Sequence, residues 1–189
     1  MEMMERNRKL RLLVTTDCPN HCPMCCNNQF NFDKLERVKH FDYDEVMITG
    51  GEPLLFPEKV AELAKAIKVT NEVLYPDENT PKVYIYTSVA SYLPLKRILP
   101  IVDGIVLTPH SLEDVRKFLN LNRLLGLYFK VNKNVRPSLR LNLFKNIKDM
   151  LPEDIDLSLW KVKDMEWVKD CPVPQGEDFR RLPNLWSES

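Results

Sequence analysis

Apolar positions along the chain follow two rhythms. In "KLRLLVTT" (9–16), "KVYIYTS" (82–88) and "SLRLNLF" (138–144), β formers recur at the period of two that marks a strand. "DEVMITGGEP" (44–53) reads as a second strand running into two glycines. "DGIVLTPH" (103–110) reads as a fourth that stops at Pro109, and "IDLSLWKV" (155–162) as a sixth. Helical spacing fills the gaps. In "PEKVAELAKAIKVT" (57–70), Val60, Leu63, Ala64 and Ile67 share a face and Pro57 suits a first turn. In "SLEDVRKFLNLNRLLG" (111–126), Ser111 is a cap, Asp114 follows three residues on and Gly126 is a stop. "PLKRILPIV" (94–102) and "FKNIKDML" predict short helices, and "YPDENTP" (75–81) a loop. "GLYFKVN" (126–132) fits helix or strand.

Strands alternating with helices predict an α/β fold of parallel strands joined by right-handed crossovers. Six units fall short of the ~250 residues of a full eight-unit barrel. The economical architecture is an open, partial (β/α)6 barrel, with a doubly wound flat sheet as the alternative. A core domain over 1–165 is expected, followed by an irregular tail over 166–189 that packs on it, wraps its open side or forms a lid. In either architecture ligands bind beyond the carboxyl ends of the strands. "TTDC", "GGEP", "TS" and "TPH" each follow a strand, so polar chemistry gathers on one rim.

Composition narrows this further. The chain has 189 residues, 44% hydrophobic and 29% charged, which fits one globular domain. With 27 basic and 27 acidic side chains the formal net charge is zero, so there is no global electrostatic case for nucleic acid or anionic membrane. No apolar run approaches the ~18–20 residues of a membrane span. The first residues lack a signal-peptide core, so a reducing cytoplasm is expected, where disulfides rarely persist.

Four of the five cysteines fall within "TTDCPNHCPMCCNN" (15–28). Such a cluster can staple a loop, hold zinc, attack a substrate or carry an iron–sulfur cluster; the compartment leaves metal or catalysis. In Cys18-x3-Cys22-x2-Cys25, three thiolates on a short loop can turn to three corners of one cubane. A closed zinc site takes four ligands, often as two separated pairs. Cys26 reads as a neighbouring thiol and His21 as a solvated loop residue; Cys171 stands alone. In "TGGEP" (49–53), Gly50 and Gly51 let backbone approach closely and allow positive φ, Glu52 can accept hydrogen bonds from an ammonium group, and Pro53 stiffens the exit.

These two motifs resemble the radical S-adenosylmethionine (SAM) superfamily, over roughly 9–165, with the specific likeness confined to 15–28 and 49–53. The resemblance implies a [4Fe–4S] cluster on Cys18, Cys22 and Cys25, with its fourth iron chelated by SAM. It implies SAM contacts from Gly50, Gly51, Glu52, Pro53 and Asn27, and from the hydroxyls of Thr87 and Ser88. Thr108 and His110 occupy places where activases of this family have an acidic residue and a lysine, and the deazaguanine-forming branch Ser-Pro-Lys. "TPH" departs from both. The implied activity is SAM cleavage to a 5′-deoxyadenosyl radical that abstracts a hydrogen atom, with activation of a large glycyl radical enzyme as the target and flavodoxin or ferredoxin as electron donor. A small-molecule substrate, as in deazaguanine synthesis, is the alternative within the family; a non-catalytic zinc-stabilised interaction module is the alternative outside it. Arg140 and Asn142 share a strand face and could point into a barrel, and Lys161 is expected at the end of strand six.

Overall fold

The computed structural model describes residues 8–20, 22, 25–74, 76, 80–168 and 172–187. Its strands are β1 (Lys9–Thr15), β2 (Glu45–Thr49), β3 (Lys82–Thr87), β4 (Gly104–Leu107), β5 (Ser138–Phe144), β6 (Lys161–Met165) and β7 (Glu177–Trp186). They form one seven-stranded sheet in the order β6-β5-β4-β3-β2-β1-β7, with every neighbouring pair parallel. The helices are α1 (Pro57–Leu74), α2 (Tyr92–Ile98), α3 (Leu112–Val131) and the single turn α4 (Lys145–Lys148). From β1 to β6 the chain advances one strand at a time and never reverses. β7 is then added on the far side of β1. Helices α1, α2 and α3 all pack in one cluster with the same set of strand residues, whereas a doubly wound sheet has helices on both faces.

Period-two alternation decides which side of the sheet is covered. Leu10, Leu12 and Val14 of β1, Val46 and Ile48 of β2, Val83 and Ile85 of β3, Ile105 and Leu107 of β4, and Leu139, Leu141 and Leu143 of β5 join one buried cluster. Val60, Ala64 and Ile67 of α1, Leu95 and Ile98 of α2, and Val115, Phe118, Leu121 and Leu125 of α3 close it from the other side. Each fully buried Leu or Ile contributes about 1.5–3 kcal/mol. The intervening strand residues form a mixed face: Leu13, Met47, Tyr84 and Val106 are buried there, and Arg11, Glu45, Tyr86, Arg140 and Asn142 are half-buried polar groups among them. Parallel sheets are normally apolar on both faces; this one carries polar and charged groups on the face away from the helices.

Two boundaries differ markedly from the sequence reading. α3 runs through Gly126 to Val131. A helix-interior glycine costs about 1 kcal/mol relative to alanine, but buried Leu125 and Tyr128 carry the helix past it. Asn132 then ends it, donating from its backbone N–H and its side-chain amide to the Tyr128 carbonyl, both at 2.9 Å. The sixth strand starts at Lys161, so Lys161 opens β6 instead of closing it. Residues 155–160 turn because Asp156 Oδ1 accepts from Ser158 N–H at 2.9 Å and because Trp160 Nε1 donates to Asn122 Oδ1 of α3 at 2.9 Å.

The closing stretch, expected to be irregular, contains β7, which pairs in parallel with β1. Charged contacts fasten it: Arg11 to Glu177 at 2.7 Å, Tyr43 Oη to Asp178 at 2.8 Å and Arg180 to Glu36 at 2.9 Å. No helix among the described residues is long and apolar enough to cross a membrane.

The start of α3 is capped as the sequence implies. Ser111 Oγ accepts from Asp114 N–H at 3.1 Å, and Asp114 Oδ2 accepts from His110 N–H at 3.0 Å. Ser111→Ala should therefore lower unfolding free energy by about 1 kcal/mol in urea titration. An unchanged midpoint would show that the cap contributes nothing.

Candidate functional site

The carboxyl ends of β1, β2 and β3 are knitted into one rim. Beyond β1, Thr15 Oγ1 donates to the Trp186 carbonyl at 2.7 Å and accepts from Asp17 N–H at 3.1 Å, which sets the direction in which the cysteine loop leaves. The two glycines then lie against that exit. Gly51 N–H donates to the Thr15 carbonyl and Glu52 N–H to the Asp17 carbonyl, both at 2.7 Å. A Cβ on Gly50 would sit 2.5 Å from the Thr15 oxygen, and one on Gly51 2.1 Å from the Asp17 oxygen. Positive φ is not the reason for either glycine; among the described residues only Gly176 has it, at 84°. Close backbone approach is what requires them, and the chain packing there is the cysteine loop. Asn27 completes the seam, its side-chain amide donating to the Gly50 carbonyl at 2.9 Å.

Glu52 is 1% exposed, and four donors hold its carboxylate. Oε1 accepts from Leu54 N–H at 3.0 Å and Thr87 Oγ1 at 2.7 Å; Oε2 accepts from Ser88 N–H at 3.0 Å and Ser88 Oγ at 3.1 Å. Ser88 Oγ in turn accepts from the Asn20 amide at 2.9 Å. Burial pushes the Glu52 carboxyl above its ordinary range, and the hydrogen bonds from Leu54, Thr87 and Ser88 pull against that. Pro53 is buried at the head of a short 3-10 turn, Pro53–Leu55. The structure thus brings Gly50, Gly51, Glu52, Pro53, Asn27, Thr87 and Ser88 together, with their polar atoms bonded chiefly to one another.

The thiols are arranged differently from the sequence expectation. Among the described residues, no group of three or more His, Cys, Asp or Glu side chains is placed to hold a metal ion. That overturns the [4Fe–4S] cluster expected on Cys18, Cys22 and Cys25. The radical SAM reading that depended on the cluster falls with it, including SAM as cofactor, radical cleavage, and both the activase and deazaguanine branches. The zinc-stabilised module fails on the same finding. The spacing C-x3-C-x2-C fixes only contour length; whether it yields a metal site depends on the loop backbone, which turns here with Cys25 N–H on the Cys22 carbonyl at 3.1 Å. All three cysteines are free and half-buried. Burial pushes the Cys18 and Cys22 thiols up, and negative charge on neighbours, Cys25 among them, adds to this. His21, Cys171 and the Cys26 side chain lie outside the described residues.

Further along the rim, at β4 and β5, Thr108 Oγ1 accepts from the Asn142 amide at 3.4 Å. His110 lies beside Phe144 and Trp167, with ring centroids at 5.8 and 6.0 Å, and those two rings stack at 4.1 Å. The Nδ1 atom of His110 is buried without a hydrogen-bond partner among the described residues. Burial lowers the imidazole below its ordinary pKa, against the pull of Asp114, so the ring is neutral at pH 7.

On the sheet face away from the helices, Arg140 stacks over the Tyr84 ring with its guanidinium carbon 4.4 Å from the centroid. Tyr86 lies in the field of Arg11, Glu177, Arg140 and Glu45. The sequence reading passed over both tyrosines, although the alternation in "KVYIYTS" puts them on one face. Asn20 was also missed, since nothing in its local sequence points to Ser88. No protein-family model matches the chain, and no curated protein matches it significantly.

Proposed function

We propose that this chain is a small-molecule-binding α/β protein, shaped as a partial barrel, that takes an anionic ligand on the sheet face opposite the helices. Strand order and the packing of α1, α2 and α3 on one side of the sheet support the partial barrel: consecutive parallel strands with their helices all on one side are what such a barrel requires.

The observation that carries the ligand assignment is Arg140. Its neighbour on the same face, Arg11, is neutralised by Glu177 at 2.7 Å. Arg140 is half-buried and has no ion pair among the described residues. A guanidinium in that position presents a planar fork suited to a carboxylate or phosphate. Lys161 and Lys163 are in register with Arg140 and Asn142 and add positive charge on that face. Asn142 and Thr108 supply neutral hydrogen-bonding groups alongside.

Calorimetric titration against a panel of di- and tricarboxylates and phosphate monoesters tests this. At least one should bind saturably. Arg140→Ala should weaken that binding by about 10- to 150-fold, the loss of a charged hydrogen bond of roughly 1.5–3 kcal/mol. Arg140→Lys should retain part of it. Equal affinity in the alanine variant, or no binding across the panel, would remove the proposal.

A further inference from the structure

At the opposite end of the sheet is a second concave site. A pocket of about 830 Å3 lies between the C-terminal half of α3, the start of β5 and the turn that precedes β6. That volume falls in the range of small-molecule sites. Four basic side chains, Arg123, Lys130, Lys133 and Arg136, line it against one acidic one, Asp156. None of the four has an ion pair among the described residues. In a chain of zero net charge this is a concentrated local excess.

The geometry of α3 explains why these charges converge. Arg123, Gly126 and Lys130 follow the three-and-four spacing that stacks side chains along one stripe, and Lys133 continues it just past the helix end. Arg136 is anchored from below, its Nη1 donating to the Val135 carbonyl at 3.0 Å. The facing wall is fixed to α3 by Asn122, whose amide donates to the Asp156 carbonyl at 2.9 Å while its oxygen accepts from Trp160 at 2.9 Å. The Asp156 carboxylate is engaged by Ser158, which lowers its pKa.

Gly126 is the second, independent observation. A Cβ built there meets nothing within 4 Å, so packing within the fold does not require glycine. Glycine weakens a helix interior. Yet it lies in the pocket lining, where a missing side chain leaves the helix backbone open to whatever fills the space. Phe129 and Leu159 add an apolar surface.

We infer that this pocket binds a polyphosphorylated small molecule of nucleotide size, with the phosphates among Arg123, Lys130, Lys133 and Arg136 and the organic body against Phe129 and Leu159. Multiple phosphates match four unpaired cations, and the apolar wall accounts for volume a bare anion would leave empty. The site is independent of Arg140.

The test is calorimetric titration of the full chain with ATP, inorganic triphosphate and adenosine at low and moderate salt. ATP should bind saturably, and affinity should fall several-fold as salt rises. The double variant Lys133→Glu/Arg136→Glu should weaken ATP at least tenfold. Gly126→Leu, which fills the pocket from a helix position that favours leucine, should do the same with unchanged circular dichroism. Arg140→Ala should bind ATP normally. Absence of saturable binding up to about 1 mM ATP, or binding indifferent to both pocket variants, would overturn the site. ATP binding lost in Arg140→Ala but kept in the pocket variants would likewise overturn it by moving ATP to the sheet face. Triphosphate binding as tightly as ATP would overturn the role given to Phe129 and Leu159.

Discussion

Gly51→Ala should destabilise the protein by about 3–5 kcal/mol. Overpacking usually costs 1–3 kcal/mol because side chains shift to make room. Here the atoms in the way are backbone: the Asp17 oxygen at 2.1 Å, the Asp17 carbonyl carbon at 2.5 Å and the Thr16 carbonyl carbon at 2.7 Å. They cannot rotate aside. Relief requires the β2 exit and the start of the cysteine loop to part, and that breaks the bonds from Gly51 N–H to Thr15 and from Glu52 N–H to Asp17, each 2.7 Å. Two hydrogen bonds at about 1 kcal/mol each bring the cost into the stated range. Gly126→Ala is the internal control. Its Cβ meets nothing within 4 Å, and alanine is the better helix former, so it should stabilise by about 0.5–1 kcal/mol. Urea titration of the pair should therefore give shifts of opposite sign. Similar shifts for both would show that the 2.1 Å approach is not what makes Gly51 necessary.

That contrast also explains how far the sequence could be read. Strands and helices were legible where burial follows a period: Leu10, Leu12 and Val14 in β1, and Val60, Ala64 and Ile67 in α1. Gly126 misled because its cost is local, whereas the packing of Leu125 and Tyr128 that outweighs it is tertiary. β6 was displaced because Asp156 and Asn122 build a turn from partners 34 and 38 positions apart in sequence. β7 could not be found by pattern, since it pairs with β1 across the whole chain. The same limit governs the rim. Strand ends mark where Glu52, Thr87, Ser88 and Asn27 gather. Whether those groups face a ligand or one another depends on loop backbone, as does the convergence of three sulfurs, and spacing carries no information about either. The face away from the helices was half legible: Arg140 and Asn142 stood out in "SLRLNLF", while the pairing that leaves Arg140 without a carboxylate and gives one to Arg11 is a product of β7.

Glu52→Ala should cost about 3–5 kcal/mol, and its charge gives the loss a distinctive pH signature. Truncation leaves Leu54 N–H and Ser88 N–H buried without acceptors at about 1–3 kcal/mol each, while the Thr87 and Ser88 hydroxyls can rotate toward others. Because Gly51 and Glu52 are adjacent in one rim, so that parting the loop from β2 also disturbs the Glu52 side chain, the double variant should fall short of the sum of the singles. Glu52→Gln should be milder. Its carbonyl can still serve Leu54 and Thr87, and its amide can donate to Ser88 Oγ, with only Ser88 N–H left facing a donor. The sign of the pH effect follows from the raised pKa of Glu52, caused first by burial. The folded protein keeps this proton to higher pH than the unfolded chain does, so the contribution is complete below the ordinary glutamate range of about 4.3. It is lost as pH rises through the folded value. The glutamine variant has no such titration. Unfolding free energies of wild type and Glu52→Gln, measured in urea from about pH 4 to pH 8, should differ most in favour of wild type at the acid end, with the gap narrowing as pH rises. A gap that stays level or widens would mean that hydrogen bonds to the carboxylate outweigh its desolvation, and that the rim holds Glu52 as an anion.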